Sequence, residues 1–152
     1  MSRTSVVPDL IDSLIALCTA SMDCTVSDTW PVDMNSGPRI LFGVEDLDGE
    51  RARGASSRQS WPHASKVSRD EEGEIYGAIW VTSGVESAKD ARDAAYGLSG
   101  TLESLLRADV TVGVPAVLWT SYSPDWYTPY RLADGFGVAC AVYFSISYKA
   151  LL

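Results

Sequence analysis

Gly137-Val138-Ala139-Cys140-Ala141-Val142-Tyr143-Phe144-Ser145-Ile146-Ser147-Tyr148 alternates without a break. Val138, Cys140, Val142, Phe144, Ile146 and Tyr148 fall on one side, and Gly137, Ala139, Ala141, Tyr143, Ser145 and Ser147 on the other, which is the two-residue period of a β-strand. The first set is the larger and more apolar, so it is assigned to the core. Upstream, Ala116 to Tyr122 reads as the preceding strand. Between the two, Ser123-Pro124-Asp125-Trp126-Tyr127-Thr128-Pro129-Tyr130 reads as a proline-broken aromatic connection. Its Trp126, Tyr127 and Tyr130 either fold back over the sheet or form a protein interface, and they are taken as candidate contact residues.

Further out, Ala88, Ala91, Ala95, Leu98, Leu102 and Leu105 recur every three or four residues, and Ser87 stands where an N-cap is expected, with Asp90 three residues on. A helix from about 88 to 108 follows, with Glu103 and Arg107 spaced to pair across one turn. Gly97 and Gly100 inside it each cost about 1 kcal/mol relative to Ala, and close approach of the helix to the sheet, or a kink, is expected to compensate. Ile75 to Thr82 is a strand. Leu10, Ile11, Leu14, Ile15, Leu17 and Cys18 mark a first helix from Pro8 to Ser21. Thr25 to Trp30 and Arg39 to Glu45 are strands separated by the turn-like Asp33-Met34-Asn35-Ser36-Gly37-Pro38, and they are read as a hairpin whose core face carries Ile40, Phe42 and Val44.

Residues 46–73 show no sustained periodicity and are read as an extended arm or loop anchored by Trp61. Within this region a basic segment, Arg51, Arg53, Arg58, Lys66 and Arg69, lies between acidic flanks that include Asp46, Asp48, Asp70 and Glu71. The expected order is helix, strand, strand, arm, strand, helix, strand, strand. This is an α+β fold in a single domain, with four to five mostly antiparallel strands and two main helices packed on one sheet.

The composition bounds the function. At 152 residues the chain is the length of one ordinary domain. Twelve Lys and Arg against 20 Asp and Glu give a net charge of -8, the wrong sign for a tight nucleic-acid binder. The apolar stretch from Val6 to Ala20 is interrupted by Asp9 and Asp12, so neither a membrane span nor an export signal is expected. Cys18, Cys24 and Cys140 are read as buried free thiols in a reducing compartment, with a Cys18 to Cys24 bridge as the alternative.

Catalytic constellations are not legible. His63 is the one histidine, no paired cysteine spacing suggests zinc, and Gly97-Leu98-Ser99-Gly100 has the wrong spacing for a nucleophile turn. Gly135-Phe136-Gly137 enters a strand instead of opening a helix, so it offers no phosphate site. Asp46-Leu47-Asp48 and Asp70-Glu71-Glu72 are read as solvated turns. No enzyme activity, cofactor or metal is expected.

Three segments in the first half, Arg39-Ile40-Leu41-Phe42-Gly43-Val44-Glu45-Asp46, Gln59-Ser60-Trp61 and Arg69-Asp70-Glu71-Glu72-Gly73, resemble tail terminator proteins of long-tailed, siphovirus-type phages of actinobacteria. Lys89-Asp90-Ala91-Arg92-Asp93-Ala94-Ala95-Tyr96, Leu102-Glu103-Ser104-Leu105-Leu106-Arg107-Ala108-Asp109 and the last strand are similar to that group in type and order. The resemblance implies a structural protein of the virion, assembled in the host cytoplasm and sited at the tail-neck junction. There it would form a ring, usually of six, that caps the tail tube, ends tube polymerisation and meets the head completion or connector protein, while DNA passes without specific binding. Two expectations follow for the residues. Asp46, Asp48, Asp70 and Glu71 face the lumen and limit DNA adhesion. Arg51, Arg53, Arg58, Trp61, Lys66 and Arg69, with Trp126, Tyr127 and Tyr130, contact subunits or partners. The alternatives are another neck or head-completion adaptor, and a small intracellular enzyme or ligand-binding module.

Overall fold

A computed structural model describes residues 4–28, 37–45, 53–61, 68–83, 87–132 and 137–152. At its centre is the alternating strand, β6 (Val138–Leu151), antiparallel on one side to β4 (Asp70–Ser83) and on the other to β5 (Val117–Arg131). At about 3.3 Å per residue these strands are roughly 46 Å long. β4 pairs along its second half with β2 (Arg39–Phe42) and along its first half with β3 (Ala55–Ser60); β1 (Thr25–Ser27) lies outside β2. The sheet therefore has six strands in the order β1-β2-β4-β6-β5, with β3 end to end with β2 on the same edge of β4.

Two helices cover one face. α1 (Val7–Ser21) buries Leu10, Leu14 and Cys18, and α2 (Ala88–Ala108) lies across β4, β6 and β5 and buries Ala91, Ala95, Ser99, Leu102 and Leu106. Beneath them β6 presents Cys140, Val142, Phe144, Ile146, Tyr148 and Ala150, and β2 presents Ile40 and Phe42, the faces their alternation assigns to the core. Removing a buried side chain such as Leu14 costs about 2–5 kcal/mol through lost transfer energy and the cavity left behind. The α2 cap forms as expected: Asp90 N donates to Ser87 Oγ at 3.2 Å, and Arg107 meets Glu103 at 2.8 Å. The expected α+β architecture, with two helices on one mostly antiparallel sheet, is the one found.

Four local readings are corrected. β1 and β2 are parallel, with Thr25 opposite Arg39, so they do not form a hairpin. The 46–73 segment contains β3 and the first residues of β4. β3 shows no apolar alternation because most of it is exposed, and it is a strand through its ladder to β4. The aromatic connection from Ser123 to Tyr130 is the second half of β5. Prolines are tolerated there because β5 is an edge strand, and its ladder shifts register between Pro124 and Trp126. Gly97 and Gly100 do not sit close to the sheet: a Cβ at either would meet nothing within 4 Å.

β2 and β3 are in effect one strand interrupted by an excursion. Gly43, at φ 79°, turns the chain out of the sheet, and its N–H and that of Val44 both donate to Tyr76 O, at 2.7 and 3.2 Å. Tyr76 N donates in turn to Gly54 O at 3.1 Å, where the chain rejoins β4. A Cβ on Gly54 would stand 3.1 Å from the Gly43 carbonyl oxygen, so the two ends of the excursion touch. Arg53 closes its base with a two-point hydrogen bond to Glu45 at 2.8 and 2.9 Å.

Candidate interaction surface

Because both helices lie on one side, the other face of the sheet carries the side chains that alternate out of the core. Four strands line up there in rows. Arg58 of β3 stands opposite Glu72 of β4, Glu72 opposite Lys149 of β6, and Lys149 opposite Trp119 of β5; the next row on this face is Ser56, Glu74, Ser147 and Ser121. Asp70, Glu72 and Glu74 thus form a line of carboxylates along β4, two residues apart and on one side. Lys149 Nζ sits 2.8 Å from Glu72 and 3.9 Å from Asp70, and Tyr76 Oη donates to Glu74 at 3.0 Å. Lys149 holds the Glu72 carboxyl below the ordinary glutamate value, and Glu72 raises the Lys149 ammonium in return.

Beyond this polar band the same face becomes aromatic. Ala78, Trp80, Ala139, Ala141 and Tyr143 form a second, smaller buried cluster with Tyr130 and Leu132 against it. Trp126 stacks on Tyr143 at 4.9 Å, Tyr130 meets Trp80 at 5.1 Å, and the Tyr130 and Tyr143 hydroxyls are 2.9 Å apart. Tyr127 points to the helix side and meets Tyr96 of α2 edge-on. All three predicted aromatics therefore lie on the sheet or against α2, yet Trp126 and Tyr127 remain 47% and 44% exposed.

Among the remaining predicted residues, Asp46, Asp48, Arg51 and Lys66 lie outside the described residues, as does His63. Arg53 is engaged with Glu45 and lies over the Tyr76 ring. Trp61 does not anchor a buried segment: it is 60% exposed, with the Arg69 guanidinium 5.6 Å from its ring centroid. Arg69 exchanges backbone hydrogen bonds with Leu152 at 2.8 and 2.9 Å. Asp70 lies on the helix-free face.

Glu71 does not face a lumen. It is fully buried, because adjacent residues of a strand point to opposite faces and Asp70 takes the outer one. Its Oε1 accepts from Ser5 Oγ at 2.7 Å, Tyr148 Oη at 2.8 Å and Val6 N at 3.3 Å, and its Oε2 accepts from Gln59 Nε2 at 2.8 Å. Burial and the Glu71 carboxylate together push the Tyr148 hydroxyl well above the ordinary tyrosine value. Sequence reading missed this hub by taking Asp70-Glu71-Glu72 as a solvated turn.

Cys18, Cys24 and Cys140 are free thiols, and burial raises the Cys18 thiol to about 12. Shallow hollows open among the described residues. One of about 100 Å³ is lined by Glu103, Arg107, Val110, Thr120 and Tyr122, and one of about 260 Å³ by Asp9, Asp12, Ser13 and Gly113 to Pro115. Among the described residues no group of three or more His, Cys, Asp or Glu is placed to hold a metal ion, and no helix is long and apolar enough to cross a membrane.

No protein-family model and no curated protein matches the chain. Among solved structures, a chain from the virion of a native gene transfer agent (GTA) particle is similar to it over 90% of this chain and 84% of that one, with 11% sequence identity and a TM-score of 0.45.

Proposed function

We propose that this chain is a structural subunit of a phage-like particle and, within that class, the tail terminator: a ring on the end of the tail tube that stops its growth and presents a surface to the head connector. The reading rests on the order of motifs shared with tail terminators, and one observation of the structure carries it further. The helix-free face places Asp70, Glu72 and Glu74 together with Arg58 and Lys149, so the cations there already face carboxylates. A surface that binds DNA must offer unneutralised Lys or Arg to phosphates. With Asp125 at Ser145, Glu45 and Arg53 at Tyr76, and Arg39 opposite Trp80 also on this face, five carboxylates stand against four cations among the described residues, a weak negative excess suited to a wall past which a polyanion slides without adhering. The helices then form the outside of the ring. Asp46 and Asp48 belong to the same proposal as further lumen acids, while Glu71 leaves it. Arg51 remains a proposed contact to the tube, and Arg53, Arg58, Lys66 and Arg69 remain proposed contacts to neighbouring subunits or to the tube.

Native mass spectrometry over a concentration series tests the ring. The expected species has six times the 16.4 kDa mass of the chain. Monomer at every concentration, and again after addition of tail tubes, would overturn it.

A further inference from the structure

We infer that successive copies of this chain join by strand addition, the β3 edge of one copy pairing antiparallel with the first half of β5 of the next; this rests on the ring reading above and specifies its interface. The sheet has two open edges at the same level. Across it, β3, β4, β6 and β5 lie side by side from Ala55–Ser60 through Asp70–Ile75 and Ile146–Leu151 to Val117–Tyr122, with Leu118 the extra residue of a bulge in β5. Among the described residues nothing pairs with the outer side of β3 or of β5. Such edges are templates for another strand, and proteins that do not use them blunt them.

Here the blunting is partial, and its position is informative. β5 carries Pro124, Pro129 and a register shift between Pro124 and Trp126 in its second half, while its first half has a single register shift, at Leu118 between Val117 and Trp119. From Trp119 to Ser123 the ladder is regular and free of proline, five residues to set against the six of β3. The strand directions also agree. Each of the pairs β3–β4, β4–β6 and β6–β5 is antiparallel, so β3 and β5 run in opposite directions within a copy, and a copy placed beside it in the same orientation brings β5 against β3 antiparallel. Such a contact is heterologous, using two different patches, and a heterologous contact gives a ring where its rotation closes and an open filament where it does not.

The side chains at the two edges are complementary. The row on the helix-free face begins at Arg58 and ends at Trp119, which is 41% exposed. Running that row straight into the next copy sets the Trp119 ring beside the next copy's Arg58, a cation over an aromatic ring. The row then repeats around the ring as Arg58, Glu72, Lys149, Trp119, Arg58, with each tryptophan ring between two cations. In the neighbouring row Ser121 meets the next copy's Ser56.

Oxidative cross-linking of cysteine variants at the highest soluble concentration tests this, with the unmodified chain as control for its native thiols. Ser121→Cys and Ser56→Cys each alone should give no linked species, an equimolar mixture should give linked dimers, and the double variant should give a ladder ending at the closed ring. An oligomer in which Ser121→Cys links to itself, or in which the mixture stays unlinked, overturns strand addition and leaves the ring standing. A chain that remains monomeric at every concentration and again with tail tubes present overturns both. Trp119→Lys supplies a second readout, because its ammonium would face Arg58: the concentration for half-assembly should rise at least tenfold with the monomer's far-UV spectrum and thermal midpoint unchanged. Unchanged assembly would overturn the proposal.

Discussion

Glu71 lets the stability of the fold be tested at one atom group. Its carboxylate ties together four parts of the chain: the start of α1 through Ser5 and Val6, β3 through Gln59, β6 through Tyr148, and β4 on which it sits. Glu71→Ala leaves the Val6 N–H buried without an acceptor and the Tyr148 hydroxyl with only the Ser57 hydroxyl beside it, at up to about 1–3 kcal/mol each, while Ser5 and Gln59 can turn to water. Relief of the buried charge offsets part of this, yet breaking one side of a buried charged network costs about 3–5 kcal/mol in comparable cases. We expect a net loss of about 3–4 kcal/mol. For a chain of this length that is roughly a 10 °C fall in thermal midpoint. Glu71→Gln keeps the shape and one acceptor oxygen and opposes its amide nitrogen only to Gln59, which can rotate, so about 1–2 kcal/mol is expected. Urea unfolding measures both, and a midpoint shift at constant slope reports stability alone. A double-mutant cycle with Tyr148→Phe should show a coupling of about 1 kcal/mol or more. Loss below about 1 kcal/mol for Glu71→Ala, or strict additivity in the cycle, would refute the claim that this carboxylate holds the four segments together.

Gly97→Ala and Gly100→Ala should each stabilise the chain by about 1 kcal/mol, since both glycines are helical and a Cβ at either meets open space; a thermal midpoint that falls would show a contact at these positions. Glu72, Asp93 and Asp109 are held below their ordinary values of 4.5, 3.8 and 3.8, chiefly by hydrogen bonds from Lys149, Lys89 and Thr111. Their folded values lie below the unfolded ones, so the stability they confer is present above about pH 4.5 and lost as pH falls through the folded values. A midpoint that stays constant from pH 7 to 2 would contradict this. Cys18, raised from 9.0 to about 12 by burial, should stay unlabelled by iodoacetamide at pH 8 in the folded protein and react only after unfolding. Replacing residues 46–52 with a short glycine linker should leave the far-UV spectrum and the ring mass unchanged, since Gly43 and Gly54 already touch; loss of the ring would move the subunit contact from the sheet edge into the excursion.

Much of the fold was legible where burial is one-sided. α2 shows its cap at Ser87 and its stripe of Ala91, Ala95 and Leu102 because one helix face meets the sheet and the other meets water. β6 shows its period because the core takes its larger residues. β3 was not legible for the opposite reason: in Ser57-Arg58-Gln59-Ser60 every residue is exposed, so nothing in side-chain polarity records the backbone ladder to β4. β5 was half legible, since Pro124 and Pro129 mimic a loop and only the partner strand shows that an edge accommodates them. The parallel setting of β1 is a non-local pairing with β2, and no local pattern in the three residues of β1 or the four of β2 encodes it.

The candidate surface follows the same rule with more consequence. Asp70, Glu71, Glu72 and Glu74 are four acids within five positions, and as a turn they form one solvated patch. As a strand they separate by phase: Asp70, Glu72 and Glu74 share a face with Lys149 and Arg58, while Glu71 enters the interior and finds Tyr148 and the start of α1. The period of two thus divides the acids into one that holds the fold and three that shape the surface. Charge reversal should divide them the same way. Glu72→Lys alters how the helix-free face meets a polyanion and leaves folding intact, because Glu72 is exposed and its ion pair with Lys149 is worth little in water. Glu71→Lys would place an ammonium against buried donors and prevent folding altogether.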